Sequence, residues 1–97
     1  MKFMYVYILE CKDGSYYTGV TNDLSSRLYS HNKGFDKDSY TYSRRPLKLK
    51  FQRLFDDPLS AIAFEKQLKG WSRAKKIALI NRELHKLPGL SASQKKQ

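Results

Sequence analysis

The chain has 97 residues, 40 % of them apolar, which fits one domain with a modest core and excludes both a second domain and a disordered chain. Nineteen Lys and Arg against nine Asp and Glu leave a formal charge of +10 and a pI near 9.8, a surface suited to polyanions such as DNA, RNA or acidic lipid headgroups. The single cysteine, Cys11, excludes an internal disulfide and a cysteine-rich zinc site, and points to a reducing, cytoplasmic setting.

The opening residues lack a signal-peptide layout, and the longest apolar run, Phe3 to Leu9, is too short to cross a bilayer. Extended to Glu10, that run predicts a first strand, with Val6 and Ile8 alternating against Tyr5 and Tyr7. Lys12-Asp13-Gly14-Ser15 reads as a turn, and Tyr16 to Val20 as the returning strand, so two tyrosine-bearing segments are expected side by side. Thr21-Asn22-Asp23 supplies an N-cap for a helix that runs to about Asn32, with Gly34 as its stop. Phe35 to Arg45 is polar and without period, which predicts a loop.

Leu47 to Phe55 reads as a third strand, with Leu47, Leu49 and Phe51 alternating against Lys48 and Lys50. Asp57-Pro58 starts a second helix that ends at Lys69-Gly70, and Ser72 caps a last helix to about His85, stopped by Pro88-Gly89. The expected order is β-β-α-β-α-α: an α+β domain over residues 1–87, with a small, mainly antiparallel three-stranded sheet flanked by helices. Residues 88–97 read as a small, polar, basic and frayed tail.

Leu24, Arg27, Leu28 and His31 follow the spacing of one helix face. If Leu24 and Leu28 face the core, Arg27 and His31 are drawn to the same side. A guanidinium there is costly unless it is paired or aimed at an anion; the alternative is that Arg27 reaches water along its stem and His31 is a satisfied boundary residue. Ala61, Phe64, Glu65 and Leu68 also share a face, which puts Glu65 in or beside an apolar stripe. It is either a rim carboxylate paired with Lys69 at i+4 or the lone inward carboxylate that a mostly hydrated Mg²⁺ needs. Arg44, Arg45, Lys48, Lys50 and Arg53 flank the third strand, and Lys69, Arg73, Lys75 and Lys76 bracket Trp71; both runs read as phosphate contacts, and Trp71 as a helix-junction core residue.

Val6-Tyr7-Ile8, then Tyr17-Thr18-Gly19, then Arg27 and His31, and finally Glu65-Lys66-Gln67-Leu68-Lys69-Gly70-Trp71 followed by Arg73, Lys75 and Lys76, form an ordered set. That set resembles the GIY-YIG nuclease family, and in particular its small stand-alone bacterial members, the excinuclease-subunit-C-like proteins. The resemblance implies an endonuclease that hydrolyses phosphodiester bonds with one Mg²⁺ or Mn²⁺. It implies that Tyr7 and Tyr17 orient or deprotonate the attacking water, that Arg27 holds the scissile phosphate and that Glu65 is the metal ligand. His31 matches a helix position held by His or Tyr in relatives, and Asn81 is the only candidate in the last helix for the late asparagine many members use. The implied partner is nucleic acid, DNA favoured, in repair or recombination, with no membrane and with a protein partner or second copy left open. Two other readings stand beside it: a non-catalytic nucleic-acid-binding module on the same fold, and an assembly protein whose basic surface meets an acidic partner.

Overall fold

The computed structural model describes residues 2–87. Three strands, β1 (Met4–Glu10), β2 (Tyr16–Thr21) and β3 (Lys48–Phe55), form one antiparallel sheet in the order β2-β1-β3. Three helices, α1 (Leu24–Lys33), α2 (Pro58–Lys69) and α3 (Arg73–Ile80), complete the α+β fold that the sequence leads one to expect. The tail expected at residues 88–97, and the Pro88-Gly89 stop, lie outside the described residues.

β1 is central, and it is buried on both sides. Val6, Tyr7, Ile8 and Leu9 are all fully covered. Val6 and Ile8 face a layer built by Ala61 and Leu68 of α2, to which Phe51, Phe55, Phe64, Trp71 and Leu79 add their rings and side chains. Tyr7 and Leu9 face the other layer, with Cys11, Leu47, Leu49 and the α1 residues Leu24 and Leu28. The sheet is thus sandwiched between α1 on one face and α2 with α3 on the other. Trp71 packs against the core at the α2–α3 junction, as its position in the sequence suggests.

β3 departs from simple alternation. Phe51 pairs with Ile8 but Leu49 pairs with Leu9, so Lys50 is the extra residue of a bulge. The bulge moves Leu47 and Leu49 to the α1 side while Phe51 and Phe55 stay on the α2 side. The sequence pattern had placed Leu47, Leu49 and Phe51 on one face.

The caps act as the sequence indicates. Asp23 accepts the Ser26 backbone N–H at 3.1 Å and starts α1, and Gly34 ends it in the left-handed region at φ 71°. Asp57 accepts the N–H groups of Leu59 and Ser60 ahead of α2, with Pro58 at its first position. The last helix is shorter than expected, ending at Ile80 instead of near His85. Arg82 adopts φ 59°, its N–H donates to the Leu79 carbonyl and the Glu83 N–H donates to the Ala78 carbonyl at 2.8 Å. Those bonds form a Schellman stop with an arginine where glycine is usual, followed by a short 3₁₀ turn at Leu84–Lys86.

The loop between α1 and β3 is fastened at several points. Its 3₁₀ turn, Tyr42–Arg44, was not expected from the sequence. The Asn32 side chain accepts the Leu47 N–H at 2.9 Å, and the Arg44 carbonyl accepts the Lys12 N–H at 2.8 Å. Arg44 also pairs with Asp13 in the β1–β2 turn at 3.0 Å.

Candidate active site

Tyr7 and Gly19 are directly opposed across the β1–β2 pair. The Tyr7 ring lies over Gly19 so closely that a Cβ there would overlap the phenol oxygen and its ring carbon. Glycine at this place lets the phenol cross β2 toward α1. The ring of Tyr17 stands 6.4 Å from that of Tyr7.

His31, on the last turns of α1, meets both phenols. Its Nε2 is 3.1 Å from the Tyr7 hydroxyl, its ring centre is 5.3 Å from that of Tyr17, and its Nδ1 is 2.9 Å from the Thr41 hydroxyl. Burial, and then the Arg27 charge, hold the imidazole pKa below its ordinary 6.5. Arg27 sits one helical turn earlier, exposed, and its charge also acts on the Tyr7 phenol. Burial dominates there and pushes Tyr7 up to about 12; Tyr17 and Glu65 push the same way, and Arg27 opposes them.

α2 supplies the acidic part from the other side of the sheet. Glu65 is only 8 % exposed, and Lys69 reaches its Oε2 at 2.6 Å. Glu65 is therefore both buried and paired at i+4. Hydrogen bonding to Glu65, first among the causes, raises the Lys69 pKa, and Tyr17 adds to the rise. Charges from α1 and from α2 thus both act on Tyr7. Beside them is a cleft of about 350 Å³ lined by Tyr17, Arg27, Ser30, His31, Thr41 and Tyr42.

The single carboxylate of Glu65 is compatible with a divalent ion that keeps most of its waters and takes its other ligands from substrate phosphate. Among the described residues no group of three or more His, Cys, Asp and Glu side chains is gathered as a metal cage.

The basic residues fall into different places. Arg44 lies 3.8 Å over the Tyr40 ring and donates to the Tyr40 carbonyl at 2.7 Å, and Tyr40 stacks on Tyr17. Arg45 donates to the carbonyls of Tyr42 and Asn32, which commits it to holding the loop. Arg73 donates to the Gly14 carbonyl at 2.6 Å and covers Tyr16. Lys48 and Lys50 are exposed on β3, the strand across the sheet from Tyr17. Lys75 is a correction: it is 6 % exposed, 4.3 Å over the Trp71 ring, and so belongs to the helix junction and not to a phosphate-facing surface. Desolvation lowers the Lys76 pKa. Asn81 caps the end of α3.

Sequence reasoning passed over Thr41, Ser39 and Tyr40. Thr41 is 1 % exposed, and its hydroxyl meets both His31 and the Ser39 hydroxyl. The one available signal was a tyrosine on each side of Thr41 in an otherwise polar loop.

A GIY-YIG catalytic-domain family model matches residues 3–78. The chain belongs to the GIY-YIG family. It is similar to a UPF0213 protein of Staphylococcus saprophyticus, 44 % identical, covering 79 % of this chain and 93 % of that one. It is also 44 % identical to a UPF0213 protein of Halobacterium salinarum, over 78 % of this chain and 97 % of that one. The solution NMR structure of a UPF0213 protein from Bacillus halodurans matches at a TM-score of 0.55 and 41 % identity, covering 82 % of this chain and 84 % of that one. The family is one of nucleases, and GIY-YIG nucleases commonly use divalent metal ions. Among the described residues no helix is long and apolar enough to cross a membrane.

The close approach of Tyr7 to Gly19 carries a prediction. Gly19→Ala is expected to cost about 1–3 kcal/mol by overpacking, because the Tyr7 ring it displaces is fully buried. Urea denaturation measures the loss, and the His31 imidazole resonances report the break from Tyr7. A variant as stable as the wild type with an unchanged imidazole would contradict the contact.

Proposed function

We propose that this protein is a metal-dependent endonuclease that hydrolyses phosphodiester bonds in nucleic acid, with DNA, and repair or recombination intermediates in particular, as the first substrates to test. The observation that carries the reading is the cluster on the α1 side of the sheet: His31 Nε2 lies 3.1 Å from the Tyr7 hydroxyl, its ring centre 5.3 Å from that of Tyr17, and Tyr17, Arg27 and His31 line one cleft. A GIY-YIG catalytic domain is the setting in which that set has a use.

The chemistry follows from the groups present. Water must attack phosphorus in line, forming one P–O bond as the leaving P–O bond breaks. With its pKa near 12, Tyr7 is a neutral phenol at physiological pH, and a standing phenolate base is scarce. It serves as a relay in the substrate complex: substrate binding opens the now fully covered phenol to the attacking water, and the Tyr7 oxygen accepts a proton from that water as its own proton passes to His31 Nε2. His31 suits the acceptor's part because its lowered pKa keeps it neutral near pH 7. Tyr17, beside both, orients the water. Arg27 offers a fork of donors to the non-bridging phosphate oxygens, which a lysine ammonium does not match. Glu65 would hold one Mg²⁺ or Mn²⁺, which when bound supplies Lewis-acid stabilisation of the leaving oxygen. Lys48, Lys50, Lys69, Arg73 and Lys76, with Arg44 at the edge of the Tyr40 ring, supply the longer-range attraction for the phosphate backbone.

The test is a cleavage panel of single-stranded, nicked, flapped, branched and duplex substrates, DNA and RNA, with Mg²⁺ or Mn²⁺ and with chelator. Metal-dependent cutting of at least one substrate is expected. Its rate should fall as pH drops through the His31 pKa. Protonation there removes the proton acceptor, and because that pKa is lowered, the acid limb should lie below the usual histidine value. Binding that survives chelation, with no cleavage of any substrate, would instead establish a non-catalytic nucleic-acid-binding module.

A further inference from the structure

The hydrogen-bonded chain from Tyr7 does not stop at His31. His31 Nδ1 lies 2.9 Å from Thr41 Oγ1, and Thr41 Oγ1 lies 2.9 Å from Ser39 Oγ, which also accepts the Thr41 backbone N–H at 3.2 Å. Thr41 is among the most buried polar residues of the protein, at 1 % exposure. A buried hydroxyl fixed between two partners is not free to rotate away, so it imposes a direction on the hydrogen bonds it joins.

That direction follows from the other end. Tyr7 is fully buried, and its hydroxyl has His31 Nε2 at 3.1 Å as its hydrogen-bond partner. A buried phenol O–H left without an acceptor is costly, so the Tyr7 O–H donates to that neighbour, His31 Nε2. A neutral imidazole that accepts at Nε2 must carry its proton on Nδ1. The Nδ1–H donates to Thr41 Oγ1, and the Thr41 O–H then donates to Ser39 Oγ. The opposite direction would leave the buried Tyr7 hydrogen without His31 as acceptor.

We propose that Thr41, seconded by Ser39, is a positioning residue that holds His31 as the Nδ1–H tautomer, so that Nε2 keeps a lone pair aimed at the Tyr7 hydroxyl. Thr41 is 1 % exposed and its hydroxyl meets His31 and Ser39, so it acts through His31. The catalytic use of the tautomer rests on the reading of Tyr7 and His31 as the water-activating pair, whereas the tautomer itself does not. The loop that carries Thr41 is built to hold it still. Arg44 is tied to Asp13 and Arg45 to Tyr42 and Asn32, so the segment is fastened to the β1–β2 turn and to the end of α1.

The experiment is imidazole ¹⁵N NMR of the full chain, without metal or substrate, at a pH where His31 is neutral. In the wild type, Nδ1 of His31 is expected to show the protonated nitrogen shift and Nε2 the lone-pair shift. Thr41→Val keeps the shape and removes the hydroxyl, and is expected to move the population toward Nε2–H. Thr41→Ser restores the hydroxyl and is expected to restore the wild-type tautomer. Ser39→Ala removes the outer partner and is expected to shift the population part of the way. Where the nuclease reaction is active, Thr41→Val should slow it on the order of 10²-fold, the lower end of what a positioned general base contributes, and Thr41→Ser should recover most of the rate.

A wild-type His31 protonated at Nε2 overturns the proposal without any variant, and so does a Thr41→Val protein with an unchanged tautomer. If the tautomer responds as expected but no nucleic acid is cut by any form, the positioning role stands and the nuclease reading is the part that fails.

Discussion

Arg27→Ala is expected to lower the rate of phosphodiester cleavage on the order of 10²–10³-fold, the usual loss for one donor aimed at a developing oxyanion, and to leave the protein folded. The fold should hold because Arg27 is exposed on α1, and alanine favours a helix at least as well. The chemistry should suffer because among the described residues no other guanidinium acts on Tyr7. Arg44 and Arg45 are committed to loop carbonyls and to tyrosine rings, and Arg73 to the Gly14 carbonyl. A second readout separates phosphate binding from mere loss of shape. The Arg27 charge lowers the His31 pKa, so its removal lets that pKa rise toward the ordinary value. The imidazole then protonates at a higher pH, and the acid limb of the residual activity should move upward. Arg27→Lys keeps a charge in place but not the fork; it should lose part of the rate with the acid limb close to that of the wild type. An Arg27→Ala protein that cuts at the wild-type rate would remove the phosphate role from α1 altogether.

Much of this geometry is legible in the residues because helix periodicity is strict. Leu24 and Leu28 both reach the core layer of Tyr7 and Leu9, which brings His31, on the same face, against both phenols, while Arg27 on that face stays exposed. The same logic applies to Glu65 between Ala61 and Leu68. Asp23, Gly34, Asp57 and Ser72 show the helix ends for a similar reason: a cap side chain or a glycine meets a local need of the backbone, and only a few residue types can do so.

What stays hidden depends on distant partners. The bulge at Lys50 is a property of two strands, and nothing within Leu47 to Phe55 says which face Leu49 will join. β1 looks like a strand with one polar side, yet Tyr7 is fully covered, because α1 arrives over it from later in the chain. Arg82 ends α3 in a conformation that glycine normally takes, so the stop has no residue to announce it. Lys75 counts as a charge in composition, but the Trp71 ring and the helix junction decide where its ammonium goes. Thr41 is the clearest case: its loop has no period, and its value comes from meeting a histidine ten positions earlier.

Glu65→Gln is expected to cost metal-dependent cleavage as much as Arg27→Ala does, about 10²–10³-fold by the same electrostatic argument, and here too stability should change little. The glutamine keeps an acceptor oxygen near Lys69, and the Lys69 side chain is 56 % exposed, so water solvates the ammonium whose partner has lost its charge. Exposed i,i+4 pairs contribute only about 0.3–0.5 kcal/mol, and the burial of Glu65 raises this modestly. Two titrations should follow the change. Lys69 loses the hydrogen bond to a carboxylate that holds its pKa up, so that pKa should fall. Tyr7 loses a negative charge that pushes in the same direction as burial, so its pKa should drop below about 12. The ion-binding role has its own readout apart from activity: Mn²⁺ at low concentration should broaden the resonances of Glu65, Lys69 and Tyr17 in the wild type and not in Glu65→Gln. Lys69 adds a further condition. Its ammonium, 2.6 Å from Glu65 Oε2, competes with any cation for that oxygen. Lys69→Met should therefore broaden the same resonances at a lower Mn²⁺ concentration than the wild type requires. If Mn²⁺ broadens other parts of the protein and ignores these three residues in every form, Glu65 is a structural carboxylate for Lys69, and the metal-dependent step has to be sought elsewhere.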